Sequence, residues 1–455
     1  MAPRLIESLA TTYELAELFS DESVLQAMLD FEAALARAEA AVGIIPRAAA
    51  QTISASAKAP FFHAADISRE ALRAGTPGIP SVKALTERVR VLDSAAAGFV
   101  HWGATSQDVA DTALVLLLRR AQSIFERDLG RLEKALRSLA EKHANTVMLG
   151  RTLMQPAPPI TFGLKAAGWL GSIQRSHQRL NASFAGALVV QFGGASGTLA
   201  ALADQGIVVG QALALEFGLV YPDAPWHTHR DRLAAMLCDC GALTGSLGKM
   251  ARDINLLMQS EIAEVAEPDE SGRGGSSTMP HKHNPIGCSL TLAAAYRVPA
   301  LVATFLSGMT QEHERGTGGW QAEWPTVAAL IQSTGLAIAS MTEVTEGLSV
   351  NSAKMRSNIE ATHGTIFAEK AMMVLGQNFG RAAAHKLLEE ATRKSIAESR
   401  RLSEVLAEMP DIAASFDAEA LRNLEDPAKY LGVADEFRKR LLQVPKPRDS
   451  KSQRE

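Results

Sequence analysis

Eleven consecutive residues carry the clearest chemical signal in this chain of 455: Gly275-Ser-Ser-Thr-Met-Pro-His-Lys-His-Asn-Pro285. A serine such as Ser276 removes a proton from carbon only as an alkoxide or beside a base, so it needs cations or backbone N–H groups around it. Taking a proton from the carbon next to a carboxylate builds a doubly charged aci-carboxylate. Lys282 and Asn284, a cation and an amide two positions apart, are the residue types that stabilise such charge as it develops. The overlapping stretch from Glu267 to Pro280 is too flexible for a helix and lies between two helical patterns. It reads as a lid hinged at Gly272, Gly274 and Gly275. Taken alone, a Gly-Ser loop is more often a linker.

The elements that would position this loop are helices. Val24, Met28, Phe31, Leu35 and Ala38 keep a four-three-four-three spacing that ends near Gly43 and Pro46. After Asp111, a near-heptad series of Leu118, Phe125, Leu129, Leu132, Leu136 and Leu139 runs to the region of Asn145 and Gly150. A helix of about 30 residues would be about 45 Å long, and its apolar stripe requires bundle partners in this chain or another. A further helical run is expected from Arg230 to about Ala266, with Ala234, Ala235, Gly241, Ala242, Gly245 and Gly248 allowing close helix approach. Polar or glycine-rich breaks at His101 to Asp108, Gly150 to Pro159 and Glu267 to Pro285 are where chemistry on a helical scaffold would sit.

Composition bounds the class. The chain is 47% hydrophobic and 21% charged with a net charge of −4, ordinary for a globular protein and unfavourable for unspecific binding to nucleic acid or a membrane. Cys238, Cys240 and Cys288 make no disulfide framework and fit a reducing cytoplasm. The first residues lack the pattern of a secretory signal, and no run of 18 apolar residues is evident, so neither secretion nor membrane spanning is expected. The stretch from Val444 onward, rich in Lys, Arg, Ser and Pro, reads as a disordered tail.

Gly275 to Pro285 satisfies the signature Gly-Ser-Ser-x-Met-Pro-x-Lys-x-Asn-Pro and strongly resembles the fumarase/aspartase superfamily of lyases. The resemblance implies an all-α fold of three domains, here 1–110, 111–350 and 351–445 with a tail at 446–455. It also implies a homotetramer built on a shared helix bundle, active sites each made by three subunits, and no cofactor or metal. Its catalytic serine falls on Ser276. His101-Trp-Gly-Ala-Thr-Ser-Gln-Asp108, followed by Asp111-Thr112, is similar to the superfamily's first block, which assigns Thr105 and Ser106 to a substrate carboxylate. Gly150-Arg-Thr-Leu-Met-Gln155 is similar to the second, which assigns Gln155 to substrate. Arg151 and Arg315 are candidates for further substrate carboxylates, and His101 for a substrate contact as readily as for a structural role.

Leu153 departs from the second block, which places a histidine there. Amine-releasing members use that residue in acid/base work, whereas a carboxylate leaving group, with a pKa of about 4, departs without a proton. The departure favours a reaction whose attacking or leaving group is a carboxylate, such as lactonisation. Met28 to Glu39, Gln191 to Gly197, Pro225 to Arg232 and Gln311 to Arg315 are likewise similar to the lactonising cycloisomerases of carboxylated muconates. The adenylosuccinate lyases compete, sharing Met-Pro-His-Lys and Glu314-Arg315, but they bind a phosphate where this chain has Trp320 and Trp324. A catalytically silent relative is a third reading, disfavoured by Ser276, Lys282 and Asn284 together.

Other groups are set aside. The paired histidines His227 and His229, or His281 and His283, lack the companions of a metal site. Cys288 reads as a small packing residue rather than a nucleophile. Gln191 to Gly197 lacks both phosphate-loop patterns and reads as a tight turn between helices.

Overall fold

The structure, a computed structural model, describes residues 5–269, 274–275, 278–279 and 282–443. Helices dominate, and the strands among the described residues are short, as the all-α expectation requires. The chain forms two compact units: residues 1–130, 175–249 and 289–341 in one, and residues 131–174, 250–288 and 342–455 in the other.

The first periodic stripe folds into the helix Asp21–Ala41, started by Ser20, whose hydroxyl accepts from the Ser23 amide. Met28, Phe31, Leu35 and Ala38 are buried on it, and Gly43 leaves the helix at a φ of 83° that favours glycine. The second stripe folds into Ser106–Lys142, 37 residues long and therefore roughly 55 Å. All six of its stripe residues, Leu118 to Leu139, are buried. The helix begins five residues before Asp111, so the first polar block lies across its N-terminus rather than in a loop ahead of it.

Two expectations are corrected. The helix expected to reach Ala266 stops at Leu257, where the Glu264 amide caps the Leu257 carbonyl at 2.9 Å. A turn with Ala263 at a φ of 47° then leads into a short strand, Val265–Ala266, paired with Ser349–Val350. The supposed loop from Gly150 to Pro159 is a β-hairpin, Val147–Thr152 against Gln155–Thr161. Pro156, Pro158 and Pro159 are tolerated in the second strand because the register shifts between Leu149 and Gly150 and, among the described residues, these two strands pair only with each other. Gly150 is required at that irregularity, since a Cβ would collide with the Pro158 carbonyl.

Small residues act as expected on the helix Asp231–Leu257: a Cβ on Gly248 would strike Ala295, and one on Gly241 would touch Val302. In the second unit, Leu375, Leu388 and Leu406 centre a separate apolar cluster, and the hairpin's Leu149 packs with Ile359, Ile366 and Phe367 in another. By length and composition two helices among the described residues could cross a bilayer, Ile286–Ser307 and Gly319–Glu346, although neither contains an unbroken run of 18 apolar residues. The second is mostly buried within the chain, whereas only 33% of the first's apolar window is.

Candidate active site

Thr105 is the residue before the first turn of Ser106–Lys142, and Asp108 occupies the third helical position. Asp108 Oδ2 accepts the Thr105 amide at 3.1 Å, which is one half of a capping box. The other half is missing: among the described residues neither the Thr105 nor the Ser106 hydroxyl has a hydrogen-bond partner, and both residues are half-buried. Two unspent hydroxyls therefore flank the positive end of a 37-residue helix, an arrangement that suits a carboxylate.

Asp108 fixes this end in place. Fully buried, it also accepts the Gly193 amide at 3.0 Å, the Gly194 amide at 2.9 Å and His227 Nε2 at 2.7 Å. The glycine-rich turn from Gln191 to Gly197 thus offers its amides to an internal carboxylate instead of a phosphate. His227 belongs to the same assembly, while His229 is exposed. One helical turn further on, buried Asp111 accepts Arg230 at 2.8 and 3.0 Å and the Trp320 indole N–H at 3.0 Å. Arg230 also donates to Glu323 at 3.0 Å. Burial is the largest influence on Glu323 and raises its pKa above the ordinary carboxylate range despite Arg230. Trp320, which stands where the adenylosuccinate lyases bind a phosphate, is therefore tied by its polar edge, and the Trp324 indole N–H is buried without a partner among the described residues.

His101 starts the same block at a φ of 61°, with Nδ1 2.6 Å from the buried Glu32 carboxylate. Burial is the largest single influence on the ring and works against the cation. The charge and hydrogen bond of Glu32, aided by Asp108, outweigh it and raise the pKa. Arg315 donates to the Gly194 and Ala195 carbonyls at 2.8 and 3.3 Å, which ties it to the turn held by Asp108.

The second unit carries the remaining candidates. Thr152 pairs with Gln155, which leaves Leu153 and Met154 as a two-residue hairpin loop with φ of 49° and 66°. Both values lie in the left-handed region, as in a type I′ turn that normally takes Asn-Gly. Leu153 is 97% exposed and Met154 70%, so the tip of the hairpin is apolar and open. Gln155 is exposed beside it. Arg151 makes a bidentate ion pair with buried Glu264 at 2.7 and 3.0 Å, and Asn358 joins at 2.8 Å. Its charge is thereby largely committed to anchoring the hairpin.

Gly274, at a φ of 66°, accepts the Asn284 amide at 2.8 Å, so the two ends of the signature loop are joined. Lys282 is exposed and Asn284 half-buried. Glu267 accepts the Gly287 and Cys288 amides at 3.0 and 2.8 Å and caps the helix Ile286–Ser307. Cys288 is buried there as a packing residue. Ser276 lies outside the described residues, as do Ser277, Gly272, His281 and the tail 446–455. Within the first unit the fold thus gathers His101, Thr105, Ser106 and Arg315 around one assembly; Arg151 and Gln155 share the hairpin, and Lys282 and Asn284 share the loop. Sequence reading missed Glu32, Arg230, Glu264 and Glu323 as organising residues; the hints were that Glu32 and Arg230 fall inside the similar blocks Met28 to Glu39 and Pro225 to Arg232, and that Asp108 and Asp111 are one turn apart.

Comparison with known proteins gives a consistent picture. The sequence pattern of the lyase family matches residues 9–300, and that of the adenylosuccinate lyase C-terminus matches residues 364–441. A 3-carboxy-cis,cis-muconate cycloisomerase from Bradyrhizobium diazoefficiens is 48% identical over 93% of this chain and 94% of its own. One from Pseudomonas aeruginosa is 46% identical over 97% and 96%. The crystal structure of the 3-carboxy-cis,cis-muconate lactonizing enzyme from Pseudomonas putida superposes with a TM-score of 0.91 at 44% identity, covering 97% of this chain and 98% of that one.

Proposed function

The chain belongs to the lyase family of the fumarase/aspartase superfamily, and on that premise we propose that it interconverts 3-carboxy-cis,cis-muconate and its γ-lactone, 4-carboxymuconolactone. The observation that carries this reading is 48% identity across 93% of the chain to a cycloisomerase of that name.

In the lactonising direction, a substrate carboxylate oxygen forms a C–O bond to one carbon of a double bond. The π electrons move toward the neighbouring carboxyl group, and the resulting aci-carboxylate takes a proton on carbon. No electrons are gained or lost, so the chemistry calls for no redox cofactor. Thr105 and Ser106 hold the carboxylate on which charge develops, and the N-terminus of Ser106–Lys142 adds its dipole. Lys282 and Asn284 supply a cation and an amide, Gln155 and Arg315 contact the outer carboxylates, and Ser276 delivers the proton. Arg151, paired with Glu264, positions the hairpin and reaches substrate only through its remaining donors. Leu153 presents an apolar side chain where an amine-releasing relative needs an acid. Ser276→Ala is expected to bind substrate near normally and to lose at least about a thousandfold in kcat; a variant with near-normal kcat removes Ser276 from this role.

The little-buried face of Ile286–Ser307 supports assembly with further copies, and we propose a cytoplasmic homotetramer with sites shared between subunits. Sedimentation at several concentrations tests the assembly. The match to the adenylosuccinate lyase C-terminus favours a second reading, a lyase releasing fumarate, which parallel assay with adenylosuccinate decides.

A further inference from the structure

Three uncommon features meet at His101. The residue is not glycine yet sits at a φ of 61°, a conformation that costs on the order of 1 kcal/mol. Its Nδ1 is 2.6 Å from a carboxylate that is only 2% exposed. The second oxygen of that carboxylate, Glu32 Oε2, is buried with no partner among the described residues. A buried ion pair with an unsatisfied oxygen is poor as a stabilising device, because apolar residues of equal volume usually serve the fold as well. Strain and buried charge kept at one side chain are features that function preserves.

The surroundings indicate which function. His101 begins the block that ends on Thr105 and Ser106. Asp108, whose carboxylate holds the Thr105 amide, is close enough to act on the His101 ring. The charged groups acting on the ring thus come from two elements, Glu32 on Asp21–Ala41 and Asp108 on Ser106–Lys142. Asp108 already accepts four donors, so Glu32 is the partner given to His101. With Nδ1 taken, Nε2 has no partner among the described residues, and the side chain is 20% exposed.

We propose that Glu32 is a positioning residue: it grips the His101 ring by Nδ1 so that Nε2–H serves as a cationic donor to the substrate carboxylate held by Thr105 and Ser106. Glu32 touches no substrate and acts through His101. A substrate with several carboxylates then meets a cation that persists above the ordinary imidazole range of about pH 6.5. The inference rests on the proposed cycloisomerase reaction for its kinetic readout, but not for its spectroscopic one.

The test uses the full-length enzyme and Glu32→Gln, which conserves volume and removes the charge. In wild type, the His101 signal of selectively labelled protein, assigned with His101→Gln, should titrate above the ordinary imidazole range. In Glu32→Gln it should move down. KM for 3-carboxy-cis,cis-muconate should then rise about tenfold at a pH between the two measured midpoints, the loss expected for one charge-assisted bond. Below the variant's own lowered midpoint, read from the same titration, the imidazole is protonated again; there KM should recover to within about twofold, and kcat should change little on either side of it. Glu32→Asp should restore the midpoint and most of the KM, and adding Glu32→Gln to His101→Gln should change KM no further at the pH between the midpoints.

An unmoved His101 midpoint in Glu32→Gln overturns the proposal, as does a KM penalty of equal size above and below the variant's midpoint. If wild-type enzyme fails to turn over carboxymuconate, the reaction assignment falls, and the titration alone decides what Glu32 does to His101.

Discussion

Asp108→Asn is the perturbation that most sharply probes how the carboxylate subsite is held. Oδ1 accepts Gly193 and His227, and Oδ2 accepts Thr105 and Gly194. An amide replaces one oxygen with an NH2 group, so two of these four donors face a donor whichever way the amide turns. Each buried donor left unsatisfied costs about 1–3 kcal/mol, which gives about 2–6 kcal/mol for the pair. The Thr105 backbone, the Gly193–Gly194 turn and the His227 segment would then be free to drift, and a displacement of about 1 Å at a binding group costs roughly a hundredfold in kcat/KM. Thermal melting at a fixed scan rate should show a fall of several degrees, and carboxymuconate kinetics the hundredfold loss. An Asp108→Asn enzyme melting within about 1 °C of wild type and retaining kcat/KM within about twofold would refute this reasoning.

Further outcomes follow from individual residues. Glu39 is fully buried with neither oxygen partnered among the described residues, and burial, with Glu32 adding to it, pushes its pKa to about 9. Because the raised value means that the fold favours the protonated acid, stability present near pH 4.5 is lost as pH rises toward 9. Glu39→Met should therefore melt higher than wild type at pH 8, by an amount of order 3–5 kcal/mol, with the gain shrinking toward pH 5. Arg230→Met strands Asp111 and Glu323 and should cost about 3–5 kcal/mol in denaturant unfolding, with partial recovery when Glu323→Gln is added. Replacing Leu153 by Asn and Met154 by Gly supplies the residues a type I′ turn prefers. Hydrogen exchange along Val147–Thr161 should slow, corresponding to about 1 kcal/mol, while turnover falls because the apolar tip is gone.

What was legible in the sequence depended on how far apart the cooperating residues lie. The stripes on Asp21–Ala41 and Ser106–Lys142 are local, and their periodicity named the buried faces correctly. The Gln191 to Gly197 turn and the packing role of Cys288 were also readable, from short patterns. The hairpin was not, since its turn is made by Leu153 and Met154 rather than Asn-Gly, and its second strand carries three prolines. Nor were the buried networks: the bonds from His227 to Asp108 and from Arg230 to Asp111 each span 119 residues, and the Glu32 bond to His101 spans 69. One sequence read by periodicity contains no trace of such pairings; only the fold joins them.

The most direct measurement mixes purified enzyme with 3-carboxy-cis,cis-muconate, follows the loss of ultraviolet absorbance and identifies the product by NMR, with Ser276→Ala and adenylosuccinate run alongside. Formation of 4-carboxymuconolactone by wild type, its near absence with Ser276→Ala and no fumarate from adenylosuccinate are the expected results. Fumarate released from adenylosuccinate with no lactone from carboxymuconate would contradict the assignment.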